Sequence, residues 1–261
     1  MQTTAPSSHA EASQARTPVA GVDWRHLTWR DPALVLLAAS AVLMPIAVWL
    51  ALVVAPVAAD SGGSAARILY FHVPYAILCS VAFFVVLVAS ALYLWRRDTR
   101  WDSLARAAAE VGVLYTSLML ILGMFWGQAA WGQPWDWSDP RLTTTFIMWL
   151  IYVSYLLLRF YTGRTEQSAR VAAVLGIAGF ADVPIVHYAV SWWRSIHPPT
   201  DYFVNSNGSA AIPPSGIVTL LFSFAALTAL MVAFILIAYR QDRATVALRE
   251  ARLALDVDGA E

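Results

Sequence analysis

The sequence predicts an all-α integral membrane protein of six transmembrane helices with both termini cytoplasmic. Three observations carry that expectation: a strongly apolar composition, six uncharged stretches of spanning length, and a lopsided distribution of arginine. Of 261 residues, 59% are hydrophobic and 13% charged, and the mean hydropathy is +0.59, too apolar for a soluble domain. A helix needs roughly 20 apolar residues to cross a hydrocarbon core about 30 Å thick. The stretches Ala33–Val57, Val73–Trp95, Ala107–Phe125, Leu142–Tyr161, Val171–Val190 and Ile217–Tyr239 each meet that test. The chain has no lysine. With the N-terminus inside, fourteen arginines (16, 25, 30, 96, 97, 100, 106, 159, 164, 170, 240, 243, 249 and 252) face the cytoplasm, against Arg67, Arg141 and Arg194 outside. That asymmetry follows the positive-inside rule. The net charge is zero, so the partner that composition implies is the lipid bilayer and no nucleic acid is expected.

Residues 1–30 are rich in Ala, Ser, Thr and Gln without an apolar run, and read as a disordered cytoplasmic tail. They lack a signal-peptide core, so the first span is expected to serve as an uncleaved anchor, an organelle transit peptide being the other reading. Asp31-Pro32 has the form of an N-cap followed by proline at the first helical position. The membrane domain then occupies residues 31–240, with Pro45 and Pro184 expected to kink their helices. Short charged turns at 96–106 and 162–170 join neighbouring spans. Residues 241–261 form a cytoplasmic tail in which Val246, Leu248 and Leu253 alternate with charges, the pattern of a surface helix or of one that docks a partner. The lone Cys79 excludes an internal disulfide, and no CxxC or CxxCH motif is present. It reads as a small apolar filler.

The outer segments hold the unusual chemistry. His72 opens the second span, and His187 lies about five residues before Trp192–Trp193, roughly 7–8 Å below the aromatic belt at 1.5 Å per residue. Two imidazoles at one level have the makings of an axial pair for a haem iron. Either one alone reads first as an interfacial histidine bonded to water or a carbonyl, and their shared level is what raises the axial reading beside it. The external segment 126–141 places Trp126, Trp131, Trp135 and Trp137 among glycines and prolines, offering flat apolar faces to a planar macrocycle or simply packing. Each outer arginine adjoins one of these elements: Arg67 before His72, Arg141 closing the tryptophan segment, Arg194 after Trp193. Guanidinium groups suit carboxylates such as propionates, and equally lipid phosphate. Glu110 is expected to reach water or Arg106. Asp182, deeper in the fifth span, is either functional or bonded to backbone groups freed by Pro184.

These pieces, in this order, resemble the CcmC family of cytochrome c maturation proteins, which handle haem through a tryptophan-rich WWD domain. Arg67-Ile-Leu-Tyr-Phe-His72-Val-Pro74 is similar to the family's first histidine motif. Trp126-Gly127 through Trp131-Gly132 to Asp139-Pro140-Arg141-Leu142-Thr143 is similar to its WWD segment. Asp182-Val-Pro184-Ile-Val-His187-Tyr188-Ala-Val-Ser-Trp192-Trp193 is similar to its second histidine motif, and His197 also has a counterpart. The resemblance implies haem b held non-covalently with His72 and His187 as axial ligands to iron. It implies that Trp126, Trp131, Trp135, Trp137, Asp139, Arg141, Arg67 and Arg194 border the haem. It also implies transfer to the haem chaperone CcmE, with the small membrane protein CcmD and the ABC transporter CcmAB as partners, in the cell inner membrane. The family's Trp-Trp-x-Trp-Asp is here Trp135-Asp136-Trp137-Ser138-Asp139. Asp182 stands where asparagine is usual, and Ser191 where glutamate is common.

Two other functions fit parts of the pattern. A b-type cytochrome carrying electrons across the bilayer needs histidines in the inner half-spans, which are absent, although a single-haem quinone or electron-transfer subunit does not. A secondary transporter would use Asp182, but such proteins favour midplane sites and inverted repeats, and no repeat is visible. The expectation is a haem-binding and delivery protein rather than a classical enzyme.

Overall fold

The computed structural model describes residues 31–56, 62–197 and 212–258, so the expectations for the 1–30 tail and for most of the 191–216 loop lie outside the described residues. Regular structure among them is helical. Helix α1 (Pro32–Trp49) starts as expected, the Asp31 carboxylate accepting the Ala33 N–H at 2.8 Å, and continues as a π-helical turn, Leu50–Val54. A 3₁₀ turn, Ser64–Ile68, leads into α2 (Leu69–Arg96). The chain reverses at Arg97, whose φ of 57° caps α2, and Asp98 caps α3 (Thr99–Trp131). Helices α4 (Pro140–Thr162) and α5 (Glu166–Phe180) start at the capping side chains of Asp139 and Thr165. Helices α6 (Asp182–Trp192) and α7 (Pro214–Asp258, 45 residues) complete the chain.

Six helical segments are long and apolar enough to cross a membrane, α5 and α6 together counting as one. The break between those two falls at Ala181. Pro184 has no N–H to donate to the carbonyl of Phe180, and its ring crowds that carbonyl, so the expected kink becomes an interruption. Asp182 opens α6, and its Oδ2 is buried with no hydrogen-bond partner among the described residues; the expected backbone bond is not made by that atom. The helix of the sixth span does not end at Tyr239: α7 runs on through the 241–258 segment, where the sequence led us to expect a surface or docking helix.

The core lies where α2 and α3 meet α4, α5 and α7. It relies on small residues that admit rings: a Cβ on Gly112 would sit 2.5 Å from the Phe83 ring. Phe83 in turn stacks on Tyr152 at 3.7 Å between centroids. Several buried hydroxyls bond to carbonyls, as with Tyr115 to Leu227 at 2.8 Å and Thr116 to Gly112 at 2.8 Å. In a bilayer there is no water to do so. Large apolar side chains such as Val42, Leu52, Phe125 and Leu221 point outward, as a lipid-facing surface requires.

The two ends of the bundle differ in how they are fastened. At the arginine end, Arg159 makes a bidentate pair with Asp102 at 2.5 and 2.7 Å, joining α4 to α3. Asp242 on α7 binds Arg164 and lies 3.5 Å from Arg106. Arg240 binds Asp31, tying α7 to α1. Arg106 meets Glu110 at 3.0 Å, as the sequence led us to expect. The opposite end carries His72, His187 and the tryptophans.

Candidate functional site

The tryptophan segment is only partly a connector. Read from sequence as one loop over 126–141, it turns out to give Trp126 and Trp131 to the last turns of α3, and Pro140 and Arg141 to the first turn of α4. Only 132–139 is non-helical. Gly132 ends α3 with a φ of 75°, a conformation that costs glycine little and other residues more. The tryptophans therefore fall into two groups. Trp126 and Trp131 meet edge to face at 4.7 Å. Trp135 and Trp137 meet at 5.3 Å and both abut Phe146 on α4, which stacks on Trp149. Trp149 donates its indole N–H to Ser117 on α3 at 2.9 Å.

Asp139 is the hub. Its Oδ1 accepts the backbone N–H groups of Arg141 and Leu142, both at 3.0 Å, capping α4. Its Oδ2 accepts the Ser195 hydroxyl at 2.6 Å and the Ile196 N–H at 2.8 Å. Oδ1 also lies 3.2 Å from His197 Nδ1. One carboxylate thus joins the start of α4 to the segment after α6. Burial opposes its charge, but the donors from His197, Ser195, Leu142 and Ile196 prevail and hold the carboxyl well below the usual carboxylate range.

His72 is fixed from the other side. Its Nδ1 lies 2.9 Å from the carbonyl oxygen of Met119. A carbonyl only accepts, so Nδ1 carries the proton and Nε2 keeps its lone pair. The ring lies over Gly123 so closely that a Cβ there would be 2.9 Å from His72 Cε1. His197 also meets Trp131 at 5.0 Å. Trp126, Trp131, Asp139, Arg141 and His197 therefore form one neighbourhood, and His72 is seated on α3 at Gly123, about one turn before Trp126.

His187 does not join it among the described residues. It is exposed on α6, against Tyr188 at 5.0 Å, and Tyr188 stacks on Trp192, which meets Trp193. Arg194 is exposed. Arg67 reaches the Ala55 carbonyl at 3.4 Å through Nη2, while its Nε, like Trp135 Nε1, is buried without a partner among the described residues. Two orphaned donors at one end suit a ligand bearing anionic oxygens. Ser195, Phe146, Trp149, Met119 and Gly123 were not foreseen. The run Phe146–Trp149, one turn apart beside the tryptophan segment, was the available clue for two of them.

Comparison with known proteins agrees with the motif resemblance. The family model for CcmC, heme exporter protein C, matches residues 22–254. The heme exporter protein C of Bradyrhizobium diazoefficiens is 34% identical over 180 residues, covering 69% of this chain and 67% of that protein. That of Rhodobacter capsulatus is 36% identical over 170 residues, 65% of this chain and 67% of the relative. A putative cytochrome c biosynthesis ccmC-like mitochondrial protein of Arabidopsis thaliana is 32% identical over 170 residues, 65% of this chain and 63% of its own length. With these matches and six spanning helices, the chain belongs to the CcmC heme exporter family of cytochrome c maturation, as a multi-pass inner-membrane protein.

Proposed function

We propose that the aromatic end of the bundle faces outward, binds haem b non-covalently between two histidines, and presents it to the chaperone CcmE. One observation carries the reading. His72 Nδ1 is committed to the Met119 carbonyl, which is the outer-shell arrangement that orients a metal-binding imidazole and leaves Nε2 for iron. His197 has the same form, with Nδ1 directed to Asp139. The sequence suggested His72 with His187 as the axial pair. The geometry favours His197 as the partner of His72, because His197 packs on Trp131 and is held by Asp139, whereas His187 meets neither among the described residues. His187 remains the second reading, on its likeness to the family's second motif and its position among aromatic rings. Trp126 and Trp131 would flank the macrocycle, Trp135 and Trp137 would present its edge, and Arg67, Arg141 and Arg194 would meet propionates. Haem here is cargo. CcmD and CcmAB are proposed partners on the strength of family membership.

The test is the absorption spectrum and haem content of purified protein for wild type, His72→Ala, His197→Ala and His187→Ala. Loss of haem in the first two, with partial recovery of a six-coordinate spectrum on adding imidazole, supports the reading. Retention in His197→Ala with loss in His187→Ala returns the second ligand to α6. Wild-type spectra in all three would refute histidine ligation.

A further inference from the structure

The arginine end contains a groove that the haem reading leaves unused. It has a volume of about 400 Å³ and lies between the turn joining α2 to α3 and the face of α7. Its rim carries Arg96, Asp98 and Arg100, and its wall is Trp101, Leu104, Ile235, Leu236 and Tyr239. The charges around it are unevenly compensated. Arg106, Arg159, Arg164, Arg170 and Arg240 each pair with a carboxylate at 3.0 Å or less. Among the described residues, Arg96 and Arg97 pair with none, and Arg243 has only the Thr99 hydroxyl, at 2.9 Å. Arg100 has a loose contact of 3.7 Å with Asp98, whose Oδ1 is already engaged in capping α3. Arg96, Arg97 and Arg100 thus place three loosely compensated charges on the turn that forms the groove, while Arg249 and Arg252, which also lack a carboxylate partner among the described residues, lie further along α7.

The groove also sits at a definite depth. Trp95, 77% exposed, and Tyr239 bracket it, and aromatic residues of this kind lie at the headgroup level. The Arg96 guanidinium lies 5.3 Å from the centre of the Trp95 ring. A cationic rim at headgroup level above an apolar wall within the span matches one ligand chemistry: a phosphate joined to acyl chains. A soluble phosphate compound has no use for the wall formed by Leu104, Ile235 and Leu236. A neutral zwitterionic lipid gains less from the rim. We infer that the groove between the α2–α3 turn and α7 is a binding site for an anionic phospholipid, its phosphate held by Arg96, Arg97 and Arg100 and an acyl chain laid along Leu104, Ile235 and Leu236. Occupancy would add to the polar links between α7 and the α2–α3 hairpin, which include the Arg243–Thr99 bond and the longer Arg106–Asp242 contact.

The experiment uses the full chain purified in a neutral detergent. Phosphatidylglycerol, phosphatidylcholine and glycerol 1-phosphate are titrated separately, with thermal unfolding and retained lipid by native mass spectrometry as readouts. Wild type should retain and be stabilised by phosphatidylglycerol in preference to phosphatidylcholine, and glycerol 1-phosphate should do neither. Each arginine changed to glutamine at 96, 97 or 100 should weaken that preference roughly fivefold, the factor corresponding to about 1 kcal/mol per basic residue near an anionic surface. Leu236→Trp, which fills the wall and keeps the charges, should weaken retention of both lipids. Normal helicity by circular dichroism guards against a folding defect. Equal retention of the two lipids by wild type, an undiminished preference in the triple glutamine variant, or stabilisation by glycerol 1-phosphate alone would each overturn the proposal.

Discussion

Replacing Asp139 with alanine should detach the segment after α6 from the start of α4 without unfolding the bundle. The carboxylate accepts from five groups, two on α4 and three on the 195–197 segment. Loss of the α4 cap costs about 1 kcal/mol. On the loop side, the bonds at 2.6 and 2.8 Å are the strong ones, and a hydrogen bond to a charged group contributes about 1.5 kcal/mol at the low end. Together they come to about 3 kcal/mol, or roughly a hundredfold in the population of the detached segment. Hydrogen exchange reads this directly, since the Ile196 amide is one of the donors. Its exchange should accelerate about a hundredfold in Asp139→Ala, and less in Asp139→Asn, which keeps an acceptor and most of the cap. Haem retention should fall with it, because His197 is oriented by the same carboxylate. Acid should act like the asparagine variant only at low pH. The folded carboxyl titrates below its ordinary value near 3.9, so the fastening is complete above that value and is lost as pH falls beneath it. Between pH 7 and 5 the Ile196 amide should show no added exposure. Exchange in Asp139→Ala within threefold of wild type would refute the assignment of Asp139 as the fastener.

Gly123→Ala should displace the His72 ring, since the new methyl would lie 2.9 Å from its Cε1; expected is lowered haem occupancy with unchanged helicity, measured by absorption and circular dichroism. Arg159→Met leaves Asp102 without its buried partner, and should lower stability by about 3–5 kcal/mol, seen as a fall in unfolding temperature with no change in the haem spectrum. Trp131→Ala together with Trp135→Ala removes flat contacts but neither histidine. The bound haem should keep its spectrum while less reaches CcmE in cells, and normal loading at equal expression would return these residues to packing. A cysteine placed at Gln133 should react with an impermeant maleimide from outside, and one at Arg97 should not; the opposite pattern would invert the proposed orientation. The native Cys79 is buried and should stay silent.

The spans were legible because hydrophobic length is a local property, and so was Asp31 as a cap beside an apolar run; the caps at Asp98 and Thr165 emerged only in the structure. Helix ends were harder to read. Nothing in Trp126–Trp131 says that α3 continues until Gly132, since tryptophan suits an interfacial loop and a helix end equally. The site was legible as a set of residue types and not as a set of neighbours. His187 sits in the more family-like motif, and sequence gave it precedence over His197. The bond between Asp139 and a segment about 57 residues away leaves no trace in either stretch alone. Asp182 was visible as an anomaly; its role was not, because an unpaired buried oxygen is defined by what fails to approach it.

The contrast between the two ends has a mechanical meaning. Four ion pairs rivet α1, α3, α4, α7 and the turn before α5 at the base, whereas one carboxylate, a few ring contacts and the neutral bonds of His72 to Met119 and Trp149 to Ser117 close the top. A bundle built this way deforms like tongs. Thermal energy spreads the free tips long before it loosens the pivot, and the displacement grows with distance from the base. On the proposed function, haem held at the tips would be taken up and let go there, while the ion pairs keep the base in register.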